Sequence, residues 1–124
     1  MRKILQRNES VELNGFVDGF VKVRQEYFTP DQEWLEAELS GEKISVCVNR
    51  AKLERELDEL VKNSLAHGRV RNLIMRIQVK KKADGAELCY SDNGAGSWRE
   101  KNIFVSGRPD RGVDTKKSWG VQIA

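Results

Sequence analysis

Glu59, Asn63 and His67 stand four residues apart in the stretch Glu59-Leu60-Val61-Lys62-Asn63-Ser64-Leu65-Ala66-His67. If that stretch is helical, the spacing drifts only about 40° per step, so a carboxylate, an amide and an imidazole form one stripe. An amide oxygen is a hard neutral ligand for magnesium, and a carboxylate beside it can orient or deprotonate an attacking group. On an isolated helix the same stripe reads as a solvated edge. A second constellation is Asp92-Asn93-Gly94-Ala95-Gly96, which ends a strand-like run. A carboxylate there can accept a hydrogen bond from an amino group such as the exocyclic amine of adenine. Glycines two and four positions on bring the backbone close to a flat ligand. Taken alone, this segment is equally a good turn.

The elements that must position these groups follow from periodicity. Val11 and Leu13 alternate with Ser10 and Glu12. Asn14 then stands as a candidate N-cap for a helix carrying Phe16, Val17, Phe20, Val21 and Arg24 and ending near Tyr27, before the breaker Thr29-Pro30-Asp31. Leu35, Ala37 and Leu39 alternate, as do Ile44, Val46 and Val48, and Ser40-Gly41-Glu42-Lys43 between them predicts a β-hairpin. Residues 51–67 form the clearest helix, with Leu53, Leu57, Leu60, Val61 and Ser64 on one face and Gly68 as a stop. Leu73, Met75, Ile77 and Val79 face Ala86, Leu88 and Tyr90 across Ala83-Asp84-Gly85 in a second hairpin. Beyond Asp92 the chain turns rich in glycine and charge, with an apolar island at Ile103-Phe104-Val105. This order predicts a single α+β domain over residues 1–124. It is a two-layer sandwich with helices packed on one face of a mixed, mainly antiparallel sheet.

The helix with Glu59 and Asn63, the hairpin after it and the Asp-x-Gly-x-Gly at its end together resemble the nucleotide-binding domain shared by gyrase, MutL, sensor histidine kinases and anti-sigma serine kinases. Residues 59–67 look like that family's N box and residues 92–96 like its first glycine box. Ile103-Phe104-Val105-Ser106-Gly107 resembles the phenylalanine-containing stretch that opens the ATP lid in histidine kinases, and the lid itself is expected around 97–118. Lys117-Ser118-Trp119-Gly120-Val121-Gln122-Ile123-Ala124 sits where a second glycine box would fall.

What the resemblance implies transfers position by position. Asn63 would hold Mg2+ against the phosphates of ATP, and Glu59 would act as the catalytic carboxylate. His67 and Lys62 would approach phosphate or adenosine groups. Asp92 would read adenine, with the backbone of Gly94 and Gly96 near the base, and Gly120 would serve the phosphates at a helix start. Two departures stand out. Ser118 and Trp119 replace the glycine and leucine of the second box, and the chain stops at Ala124, so the sheet is expected to be incomplete at its C-terminal end. His67 is the sole histidine, so a phosphoacceptor would lie on a partner or a separate dimerisation domain. The resemblance thus implies a Mg-ATP-binding catalytic domain of a sensor-histidine-kinase-like protein that transfers phosphoryl to such an acceptor. The alternatives are a degenerate, non-catalytic interaction module of the same fold, or an anti-sigma-like serine kinase. The upstream helix and hairpin fit the sensor-kinase branch better than the latter.

Composition is consistent with this class. With 124 residues, 39% hydrophobic and 33% charged, the chain can bury a real core. No run nears the roughly 18–20 apolar residues that a membrane-spanning helix needs. The 22 basic and 19 acidic residues leave +3, too little for a nucleic-acid footprint, and Lys80-Lys81-Lys82 lacks interleaved aromatics. Cys47 and Cys89 form no metal or disulfide motif and point to a cytoplasmic location.

Overall fold

Apolar side chains at helical spacing sort the first half of the chain onto one core. In the computed structural model, which describes residues 8–68, 70–106, 113–115 and 120–121, the elements run β1 (Glu9–Glu12), α1 (Leu13–Gln25), β2 (Glu33–Glu38), β3 (Ser45–Val48) and α2 (Arg50–His67). They continue with β4 (Leu73–Lys82), β5 (Gly85–Asp92), β6 (Arg99–Ser106), β7 (Val113–Thr115) and β8 (Gly120–Val121). The buried residues of α2 are Leu53, Leu57, Leu60, Val61 and Ser64, the face read from its spacing. Each fully buried leucine contributes roughly 1.5–3 kcal/mol relative to exposure. Asn49 caps the helix by accepting from the Lys52 N–H at 3.1 Å.

The main sheet is ordered β2-β4-β5-β6-β7, with β8 also paired to β6. It is parallel between β2 and β4 and antiparallel elsewhere. Leu73, Met75, Ile77 and Val79 of β4 and Ala86, Leu88 and Tyr90 of β5 share one buried core with the apolar faces of both helices. The other face of the sheet carries Glu36 against Arg76 at 3.5 Å and Gln78 donating to Glu38 at 2.6 Å. Those polar rungs suit a solvated surface. The architecture is α+β with a mixed, mostly antiparallel sheet.

Three local expectations are corrected. The cap of α1 is Glu12, not Asn14: the Glu12 carboxylate accepts from the N–H groups of Asn14 at 3.1 Å and Gly15 at 2.9 Å. Asn14 instead clamps the next turn, accepting from Ser40 N–H and donating to the Ser40 and Glu42 carbonyls. The first hairpin does not form either. That clamp, with the Ile44 N–H bound to Glu12 and the Leu13 N–H bound to the Ile44 carbonyl, delivers β3 to β1 in a separate two-stranded sheet. The β2 strand then pairs with β4. Finally, Ile103-Phe104-Val105, expected at the start of a lid, lies within β6, with Ile103 and Val105 buried opposite Leu88 and Ala86. Six residues, 93–98, connect β5 to β6, which pairs onward with β7. The rest of the expected lid, apart from β7, and Lys117-Ser118-Trp119 lie outside the described residues.

Candidate functional site

Asp92 is the last residue of β5 and is fully buried, one of two buried polar side chains among the described residues, the other being Ser64. The two meet. Ser64 donates its hydroxyl proton to Asp92 Oδ2, and Tyr90, two positions back on the same face of β5, lies 2.7 Å from Ser64 Oγ. A serine hydroxyl has one proton to give, so with Ser64 committed to the carboxylate the Tyr90 phenol is the donor to Ser64. Burial pushes the Tyr90 phenol well above its ordinary pKa. The Ser64 bond opposes that rise and the Asp92 charge adds to it, so Tyr90 remains a donor at any working pH.

The other lone pairs of Asp92 are also taken. The Gly94 N–H donates to Oδ1 at 2.9 Å. Arg99 stands opposite Asp92 in the β5–β6 register, donating from Nε to Oδ1 at 3.1 Å and from Nη2 to Oδ2 at 3.3 Å. A carboxylate offers about four acceptor positions, and here four N–H or O–H groups occupy them. Neither Arg99 nor the part played by Ser64 emerges from the sequence reading. One signal existed for Ser64, a hydroxyl in the middle of an otherwise apolar helix face. For Arg99 the register of an unforeseen hairpin was required.

The glycines of the loop have distinct physical tasks. A Cβ on Gly94 would lie 3.1 Å from the Gly68 Cα, so the loop and the end of α2 pack backbone to backbone. Gly68 is closed in as well, since a Cβ there would meet the Ser64 carbonyl at 2.7 Å. Gly96 adopts φ +88°, a left-handed turn conformation closed by its N–H on the Asn93 carbonyl. Asn93 pins the loop to the start of β4, accepting from Ile74 N–H at 2.8 Å and donating to the Asn72 carbonyl at 3.2 Å.

Glu59, Asn63 and His67 form an exposed stripe on α2, with Asn63 immediately before the Ser64 that holds Asp92. Lys62 turns another way. Its ammonium binds Asp58 at 2.9 Å, and Asp58 also binds Arg24 of α1 at 3.2 Å. The hydrogen bond that the Lys62 ammonium donates to Asp58 raises the Lys62 pKa. Gly120, expected at a helix start, lies in β8 opposite Glu100. Among the described residues no cluster of three or more His, Cys, Asp or Glu could hold a metal. Magnesium shared with phosphates needs fewer protein ligands, and an exposed amide such as that of Asn63 could serve as one of them. Two open cavities lie away from Asp92. One of about 450 Å³ is beside Lys43, Lys81 and Lys82, and one of about 320 Å³ runs between α1 and α2 along Gly15, Gly19 and Arg50. No described helix is long and apolar enough to cross a membrane.

No protein-family model and no curated protein matches the chain. Solved structures do match. The catalytic domain of histidine kinase ThkA superposes with TM-score 0.61 and 16% identity, covering 71% of this chain and 60% of that one. The ATP-binding domain of PrrB from Mycobacterium tuberculosis gives TM-score 0.57 and 16% identity over 70% of this chain and 60% of its own. ThkA in complex with the response regulator TrrA gives 0.58 and 17% over 68% and 25%. The match thus spans about 60% of the length of the isolated kinase domains. At this identity the likeness is one of fold: the chain has the fold of the ATP-binding catalytic domains of histidine kinases.

Proposed function

We propose that this chain binds an adenine nucleotide in the manner of a histidine-kinase catalytic domain. Asp92 receives the base, and Asn63 on α2 holds Mg2+ against the phosphates. The observation that carries this reading is the Ser64–Asp92 contact, which locks the helix bearing Glu59 and Asn63 onto the strand end bearing the acid. Glu59 then orients the attacking group, and the γ-phosphoryl passes to an acceptor on a protein partner. Charge neutralisation and positioning supply the catalysis. Gly94 and Gly96 keep the loop close to the base, while His67 at the end of α2 approaches phosphate or adenosine groups. Lys62 and Gly120 have no part in this version of the site, given their pairing with Asp58 and in β8. Two free cysteines suit a reducing cytoplasm.

Calorimetric titration with ADP, with and without magnesium, tests the reading. Wild-type protein should bind, and Asn63→Ala should weaken binding chiefly when the metal is present. Equal loss with and without magnesium contradicts the role of Asn63. No binding by the wild type overturns the nucleotide reading. It would leave a non-catalytic interaction module of the same fold, which the full occupancy of the Asp92 acceptor positions favours.

A further inference from the structure

We propose that Arg99 is the specificity gate of the base site: a purine gains Asp92 only by taking the place of the Arg99 guanidinium. This rests on the nucleotide reading and deepens it. The starting point is the count of donors on the carboxylate. Oδ1 accepts from Gly94 N–H and Arg99 Nε, and Oδ2 accepts from Ser64 Oγ and Arg99 Nη2. An incoming amine finds no unused acceptor position and must displace one of these donors.

Their surroundings decide which one yields. The Gly94 N–H is backbone in a loop packed on Gly68 and cannot turn away. Ser64 is fully buried and already accepts from Tyr90, so losing Asp92 would strand its proton inside the core. The Arg99 side chain is 22% exposed, on a strand that follows a six-residue loop, and its long stem can carry the guanidinium toward water. Arg99 is thus the exchangeable partner. It is also the expensive one, because two charge-assisted bonds from one guanidinium are traded for a single bond from a neutral amine. The gate therefore lowers affinity for amine-bearing bases. A base carrying a carbonyl in place of the amine gains nothing from opening it.

The experiment titrates ADP and inosine diphosphate into the 124-residue chain, in wild-type, Arg99→Gln and Arg99→Lys forms, with thermal unfolding followed in parallel. The two ligands share their phosphates and differ at the purine 6-position, amine against carbonyl. Arg99→Gln keeps one amide donor for Asp92 but gives up the fork, and should bind ADP about tenfold more tightly than wild type, with no comparable gain for inosine diphosphate. Arg99→Lys keeps the charge but not the bidentate geometry and should fall between. It carries the test should Arg99→Gln fail to fold. A folded variant that binds ADP no more tightly, or that gains equally for both ligands, overturns the gate. If neither wild type nor variants bind either nucleotide, the nucleotide reading itself falls and the gate with it.

Discussion

Glu12 and Asp92 both end a strand, and both tie that strand to a neighbouring element through a carboxylate that accepts several hydrogen bonds. Glu12 is held entirely by backbone, accepting from the N–H groups of Asn14, Gly15 and Ile44 at 3.1, 2.9 and 3.1 Å. Asp92 is held by one backbone N–H and three side-chain donors from Ser64 and Arg99. Backbone donors are fixed by the fold, so the Glu12 junction can do nothing except hold β1, α1 and β3 together. Side-chain donors can swing, so a buried acid satisfied by them can exchange partners. That difference separates a structural carboxylate from a candidate binding one, although both are multiply paired.

The largest effect expected from breaking the comparison is at Asp92. Asp92→Ala removes the anion beside Arg99 and strands Ser64 and the Gly94 N–H. It should cost about 3 kcal/mol, the low end for a broken buried pair because Arg99 reaches solvent. In a domain of this size that lowers the melting midpoint by roughly 10 °C or more, measurable by circular dichroism. A shift of only a degree or two would mean the network adds no stability.

Next comes Ser64→Ala, which leaves the Tyr90 phenol without that acceptor and Asp92 without that donor. About 2 kcal/mol should be lost in urea unfolding, against about half as much for Tyr90→Phe, which spares the Ser64–Asp92 bond. Equal losses would contradict the proton order from Tyr90 through Ser64 to Asp92.

The smallest effect belongs to Glu12→Gln, about 1 kcal/mol at neutral pH from a weakened cap. Burial works against the Glu12 charge, but the N–H groups of Gly15, Ile44 and Asn14 outweigh it and hold its carboxyl below the usual 4.5. A lowered folded pKa means the contribution is present above the unfolded value and fades as pH falls through the folded one. The gap between wild type and Glu12→Gln should therefore close in acid. A gap unchanged down to pH 3 would show that the charge on Glu12 is irrelevant to the cap.

Periodicity located what lies within one element. The five buried positions of α2 and the alternation of β4 and β5 follow from residue spacing, because a helix or strand repeats its geometry regardless of what it packs on. The Asp92 loop was equally visible, as a carboxylate followed by two glycines. The first hairpin was misread because a turn-like Ser40-Gly41-Glu42-Lys43 says nothing about Asn14, which captures that turn from 26 and 28 residues away. Likewise the Ile103 stretch carried an apolar signal that suits a strand or a lid opening equally.

The sequence by itself thus determined the helices, the β4–β5 hairpin and the set of polar groups available for chemistry. Pairing, and with it the state of the acid, was decided by tertiary structure. Strand register is a non-local quantity: it places Arg99 opposite Asp92, a one-residue slip would turn the guanidinium to the other face of the sheet, and no local pattern records the difference.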